Sequence, residues 1–238
     1  RGLQHLERTD RVVERSRIIL NFHGLGAPHA DVPESERPYW LPVDRFAGII
    51  EEIVARRAGG ADIALTFDDG NRSDLEIAVP YLVENGLVAA FFVLTGRLGD
   101  SRYLSRSDVT RLRDLGMDIG LHGRNHVDWR RLDEAGRADE IPRSRAELED
   151  LAGEAVRSVS IPFGAYDRRL MSYLKRQDFD TIYTSDGGRA RIGDRVQPRT
   201  SLRSDMSGAD LAVLLEGRSD LAGRVRRGVR RMLKEHVI

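Results

Sequence analysis

Cysteine is absent from the 238-residue sequence, which removes disulfides, iron–sulfur clusters, thiolate zinc sites and cysteine nucleophiles at once. Any metal must therefore be held by His, Asp or Glu. Charge of one sign is lacking as well: 38 Lys and Arg stand against 38 Asp and Glu. No general attraction to nucleic acid follows, and none is expected as a partner. No apolar stretch approaches the roughly 20 residues that span a bilayer. The longest, such as 88–94, falls far short, so no transmembrane segment is expected and the chain reads as soluble. The residues after Arg1 lack the apolar core of a signal peptide. The sequence does not open on Met, and its compartment stays open: cytoplasmic, or extracytoplasmic once a signal is trimmed. Oligomeric state is equally open.

The length suits one barrel-sized core, so 1–238 is read as a single domain. Short apolar or β-branched runs at 17–22, 62–67, 88–94, 117–121, 155–161, 180–184 and 195–201 read as about seven buried strands. Between them, 44–57, 74–85, 107–115, 143–151 and 168–176 carry a helical period of about 3.6 residues. Asp44 and Ser107 are candidate N-caps, and Asn85-Gly86 and Gly116 candidate stops. Alternating strands and helices imply parallel βα units. An α/β fold follows, a distorted or incomplete (β/α) barrel of about seven strands before an open doubly wound sheet. Loop 24–41, with three prolines and the pair Tyr39-Trp40, reads as a rim element or a substrate-facing flap. Segment 207–238 is helical and basic, with Arg218, Arg224, Arg226, Arg227, Arg230 and Arg231, and reads as a solvated face before a lipid or partner surface.

Chemistry collects at the strand ends. In parallel α/β architectures the carboxyl ends of the strands form the working face. Four runs end in capable groups: Phe22-His23, Phe67-Asp68-Asp69-Gly70, Leu121-His122-Gly123-Arg124-Asn125-His126, and Ile161-Pro162-Phe163-Gly164. Two adjacent carboxylates leaving a buried strand repel each other unless a cation or hydrogen-bond donors compensate. For an isolated Asp-Asp-Gly a polar turn is the stronger explanation, so alone the motif is weak. The His122-x-x-x-His126 spacing shifts that balance, because one turn can set two imidazoles close enough to share a metal. With one carboxylate the set is His₂Asp with open positions. It suits Zn²⁺ and tolerates Co²⁺, Ni²⁺ or Fe²⁺.

Thr66-Phe67-Asp68-Asp69-Gly70, then His122-x-x-x-His126, then Pro162-Phe163-Gly164 resemble the polysaccharide deacetylase family, carbohydrate esterase family four, over roughly residues 18–203. The resemblance implies a distorted (β/α) barrel and removal of acetyl groups from an acetylated saccharide. It makes Asp69, His122 and His126 the ligands of one divalent metal, and Asp68 the general base toward a water activated by it. Strand alternation would point the two aspartates to opposite sides and so serve both duties. The family's general acid is usually a His near the C-terminal end. Downstream of Phe163 only His236 remains. His23, which closes the first strand run, resembles the N-terminal placement of permuted members and is the candidate acid, with His29 as the fallback. The third motif implies a backbone N–H at Phe163 aimed at the oxyanion, with Pro162 and Phe163 walling the acetyl methyl; a tight turn is the plainer reading.

Two positions depart from the family pattern. Gly123 stands where Ser or Thr is common, and Ser160 where an Arg usually orients the catalytic Asp. Arg124, Arg72 and Arg199 are the candidates to replace that Arg. Removal of an N-acetyl group from an amino-sugar polymer or oligosaccharide is the leading expectation. An O-acetyl esterase, a related hydrolase of non-sugar amides and an inactive carbohydrate-binding relative are the rivals.

Overall fold

The computed structural model describes residues 15–30 and 32–216. Its centre is a sheet of β1 (Ser16–Phe22), β2 (Ile63–Phe67), β3 (Ala89–Val93), β4 (Asp118–Leu121), β5 (Ser158–Ser160), β6 (Thr181–Thr184), β7 (Arg189–Arg191), β8 (Val196–Pro198) and β9 (Thr200–Ser201). From β1 through β6 to β8 each strand lies parallel to its neighbour, in sequence order and without the reversal that marks a doubly wound sheet. The short β7 was not anticipated; it runs antiparallel along the outer side of β1.

Closure explains why the expected strand 195–201 divides. Pro198 has no N–H to continue the ladder, and Arg199 makes a last bond from its N–H to Thr184 O, 2.9 Å. The chain then crosses to β1, where β9 pairs in parallel and Leu202 N–H reaches Asn21 O, 2.9 Å. The sheet is thereby a nearly closed, distorted (β/α) barrel.

Helices cover the outside: α1 (Val43–Ala58), α2 (Val79–Glu84), α3 (Arg106–Asp114), α4 (Glu134–Ala138), α5 (Ser144–Ala152), α6 (Arg168–Arg176) and α7 (Gly208–Leu215). Two expected caps move. Helix α1 starts after Pro42 with no side-chain cap, so Asp44 lies inside its first turn. Ser105, not Ser107, caps α3 through a reciprocal box with Asp108. Wide π turns precede α2 and α5, at Asp74–Ala78 and Asp139–Arg143, each with a proline at hand: Pro80 soon after the first, Pro142 within the second. A residue without an N–H favours such a widened turn over a regular one. The helical reading of 143–151 missed that α4 and this turn lead into α5.

Aromatic packing levels the strand ends. Phe22, Phe67 and Phe91 are register partners, and their rings stack at 4.9 Å and 4.8 Å, with Phe46 edge-on to Phe22 at 5.3 Å. The next residues, His23 and Asp68, therefore leave the sheet side by side, with His122 following Leu121 two strands on. Loop 24–41 is pinched shut at its base, where Leu25 bridges Leu41 and the Trp40 indole lies on Gly24. A Cβ at Gly24 would fall 2.1 Å from that ring, so only glycine admits it. No described helix is long and apolar enough to cross a membrane. Of the basic segment, α7 is described; Arg218 and the later arginines lie outside the described residues.

Candidate active site

Asp69, His122 and His126 converge. One ligating atom from each lies within 4.8 Å of the others, and Asp69 Oδ1 is 3.5 Å from Nε2 of both imidazoles. That Oδ1 is buried without a hydrogen bond. His122 donates from Nδ1 to Ser160 O at 2.9 Å, which turns Nε2 toward Asp69. Burial pushes His126 down to about 4, leaving a neutral imidazole. Burial would lower His122 too, but Asp68 and Asp69 hold it above the ordinary histidine value. A cation at this point would replace that proton. Two imidazoles and an orphaned carboxylate oxygen fit a divalent metal such as Zn²⁺.

The route to this geometry differs from the expected one. The aspartates do not part to opposite sides: His122 Nε2 is also 4.0 Å from Asp68 Oδ2. Left-handed backbone at Asp69 (φ 78°) interrupts strand alternation and turns both carboxylates into one cavity. Nor do the histidines share a helical turn, since 122–126 is a loop with φ 94° at Gly123 and 54° at His126. Asp69, His126 and Phe163 are the non-glycine residues with positive φ among those described. Such strain persists only where the surroundings over-determine it.

Glu140, in the second π turn, supplies that constraint for the histidine loop. Its buried carboxylate accepts from Arg124 N–H (2.9 Å), Asn125 N–H (3.0 Å), Asn125 Nδ2 (2.8 Å) and Trp129 Nε1 (3.2 Å). A Cβ at position 123 would sit 2.7 Å from Glu140 Oε2 and 2.9 Å from the Trp129 ring, which is why glycine replaces the usual Ser or Thr. Nothing in the sequence marked Glu140.

Asp68 is held by Arg199. The fully buried guanidinium binds it in parallel, Nη1 to Oδ1 at 2.8 Å and Nη2 to Oδ2 at 2.7 Å. Asn21 Nδ2 (3.0 Å) and Ser160 Oγ (3.2 Å) also donate to Oδ2. Arg199 in turn donates to Ser160 Oγ (2.6 Å), Asn21 Oδ1 (2.8 Å) and Thr66 Oγ1 (3.1 Å), so every member of the cluster restrains another. Burial alone would raise Asp68, but Arg199 and His122 hold it well below the usual carboxylate range. Arg199 thus takes the place expected of an Arg at position 160. Arg72 pairs with Glu76 (2.6 Å) and Arg124 with Glu147 (3.1 Å), away from Asp68. Asn21 was overlooked, although a polar residue between Leu20 and Phe22 in an apolar strand was a usable signal.

Asp68, Asp69, His122 and His126 line a cavity of about 320 Å³ with His23, Glu36, Tyr39, Ile161 and Phe163. The His23 ring packs at a tilt against Tyr39, 5.0 Å between centroids, and its Nδ1 is buried without a partner. Burial lowers its pKa, with Asp69 and Asp68 opposing. His29 packs edge-on to Trp40 at 5.1 Å and does not line the cavity. Phe163 is 56 % exposed and covers His126 at 4.2 Å. Pro162 is buried and does not line the cavity, and Ile161 shares the wall instead.

Known proteins resemble this chain in sequence and in fold. The sequence pattern described as polysaccharide deacetylase matches residues 55–182. A peptidoglycan-N-acetylglucosamine deacetylase of Bacillus cereus is 29% identical over 172 residues, 66% of this chain and 59% of its own length. A chitin deacetylase of Pestalotiopsis sp is 32% identical over 111 residues, 47% of this chain and 37% of its own. This chain therefore spans between about a third and three fifths of these relatives. Among solved structures, the Streptococcus pyogenes deacetylase PplD in complex with acetate superposes with a TM-score of 0.72 at 20% identity, covering 85% of this chain and 99% of that one. IcaB from Ammonifex degensii gives 0.69 at 20% identity, covering 85% and 96%. With more than half of its length matched, through both the aspartate pair and the paired histidines, the chain belongs to the polysaccharide deacetylase family.

Proposed function

We propose that this protein is a divalent-metal-dependent hydrolase that removes N-acetyl groups from an amino-sugar polysaccharide or oligosaccharide, with Zn²⁺ the best-fitting ion. The observation that carries this reading is the meeting of Asp69, His122 and His126 around a single point, beside a second, separately held carboxylate. A divalent ion held there would polarise the acetyl carbonyl and acidify water. Each remaining duty falls to a side chain. Asp68, held by Arg199, Asn21 and Ser160 at the cavity wall, accepts a proton from water. His23, across the same cavity, delivers a proton to the departing amine. The Phe163 N–H supplies a donor to the oxyanion, and Ile161 and Phe163 shelter the acetyl methyl from water.

Acetate release from N-acetylated chitooligosaccharides tests the proposal. Metal-loaded protein is expected to release acetate, a chelator to stop it and added Zn²⁺ to restore it. Release that ignores the chelator would overturn the metal requirement, and release from O-acetylated glycans alone would reassign the bond that is cut.

A further inference from the structure

A second groove, of about 380 Å³, adjoins the candidate active site, and Glu36, His126 and Phe163 line both. A sugar linked to one seated over Asp69 can therefore pass into it without leaving the wall of the site. The groove is also rigidly joined to the histidine loop. Thr95 and Gly96 donate backbone bonds to Gly123 O (3.1 Å) and Arg124 O (3.0 Å), and a Cβ at position 96 would fall 2.7 Å from Arg124 O. Arg97 follows directly, so its position is fixed relative to His126.

Arg97 is the distinctive group in this groove. It is half-buried, donates from Nη1 to Tyr103 Oη at 2.8 Å, and lies over the Tyr103 ring at 4.9 Å. Its neighbour Arg102 is taken by Asp100 through two bonds of 2.9 Å and 2.6 Å, which occupies both oxygens of that carboxylate. Among the described residues no carboxylate reaches ion-pair distance of Arg97. Glu36 shares the groove without reaching ion-pair distance; burial, and then Asp69, raise its pKa, with Arg97 opposing. A guanidinium partly withdrawn from water, anchored on a neutral ring and with no carboxylate of the described residues at ion-pair distance, gains most from a planar carboxylate that takes two parallel bonds.

We propose that the groove seats the sugar adjoining the acetylated one, and that Arg97 receives a carboxylate carried by that neighbour, so the preferred glycan joins N-acetylated sugars to acidic ones. This rests on the deacetylase reading above. The carboxylate could belong to a hexuronic acid or to a lactyl ether, and the chemistry at Arg97 is the same.

The test compares kcat/KM on a tetrasaccharide alternating N-acetylglucosamine with glucuronate, on its methyl ester, and on a lactyl-ether disaccharide as free acid and as ester. The free acid is expected to lead its own ester by roughly ten- to hundredfold, the range for a charged hydrogen-bonded contact. The lead should shrink as salt rises, and Arg97→Gln should bring the acid-to-ester ratio near one. A lead for either acid supports the proposal and names the source. Equal rates for acid and ester, or a ratio untouched by Arg97→Gln, overturn it. If no glycan releases acetate, the deacetylase reading fails, and calorimetric binding of acid against ester then decides the groove by itself.

Discussion

Asp68 and Asp69 are adjacent in the chain, and their surroundings differ. Asp69 Oδ1 faces two imidazoles with no hydrogen bond of its own, whereas Asp68 is gripped by Arg199, Asn21 and Ser160. Asp68→Asn should therefore leave metal binding intact and lower turnover by roughly 10²–10⁴, the range for a positioned base; metal content measured beside acetate release checks both halves. Arg199→Met should act on stability as well. Removing one partner of a fully buried pair leaves an uncompensated carboxylate, and the cost is about 3–5 kcal/mol, read from denaturant unfolding of the metal-free protein. A loss below about 1 kcal/mol, as exposed pairs give, would mean that water reaches Asp68. Both aspartates were legible in the sequence. Arg199 was only one of three candidates, because its contact with Asp68 spans 131 residues and exists only once the barrel closes.

At the scale of elements, the histidine loop shows where a motif and its geometry part company. His122-x-x-x-His126 was visible, but a helical turn was the wrong reason for its convergence. The loop takes left-handed backbone at Gly123 and His126, and Glu140 ties down the amides of Arg124 and Asn125. Its source is a π turn around Pro142, a distortion that no regular period reveals. Glu140→Ala is expected to weaken metal affinity by about 10–100-fold, as loss of a ligand-supporting contact does. Competition with a chromophoric chelator reads that affinity. The unfolding midpoint of the metal-free variant separates the effect from general destabilisation, and Glu140→Gln, which keeps an acceptor, should recover part of the loss. Unchanged affinity in Glu140→Ala would show that the loop holds its shape without this carboxylate.

For the whole molecule, the sequence period carried the βα alternation because buried parallel strands are continuous apolar runs, as at Ala89–Val93. It did not carry the closure. Strand β7 is three residues long with Ala190 alone buried, and β9 is two residues long, both too short for a pattern to register. Yet that seam delivers Arg199 beneath Asp68 and brings Ser201 within 3.4 Å of Asn21. The working face is thus a property of the closed barrel, drawn from β1, β2, the loop after β4, β5 with the turn that follows it, and the segment between β8 and β9. On the proposed reading this face holds one divalent ion on Asp69, His122 and His126. Anomalous X-ray diffraction at the zinc edge, from crystals of the Zn²⁺-loaded protein, tests it most directly. One peak is expected at about 2.0–2.2 Å from Asp69 Oδ1 and from Nε2 of both histidines, absent in Asp69→Ala. A peak at other ligands, or none in protein that still releases acetate, would contradict it.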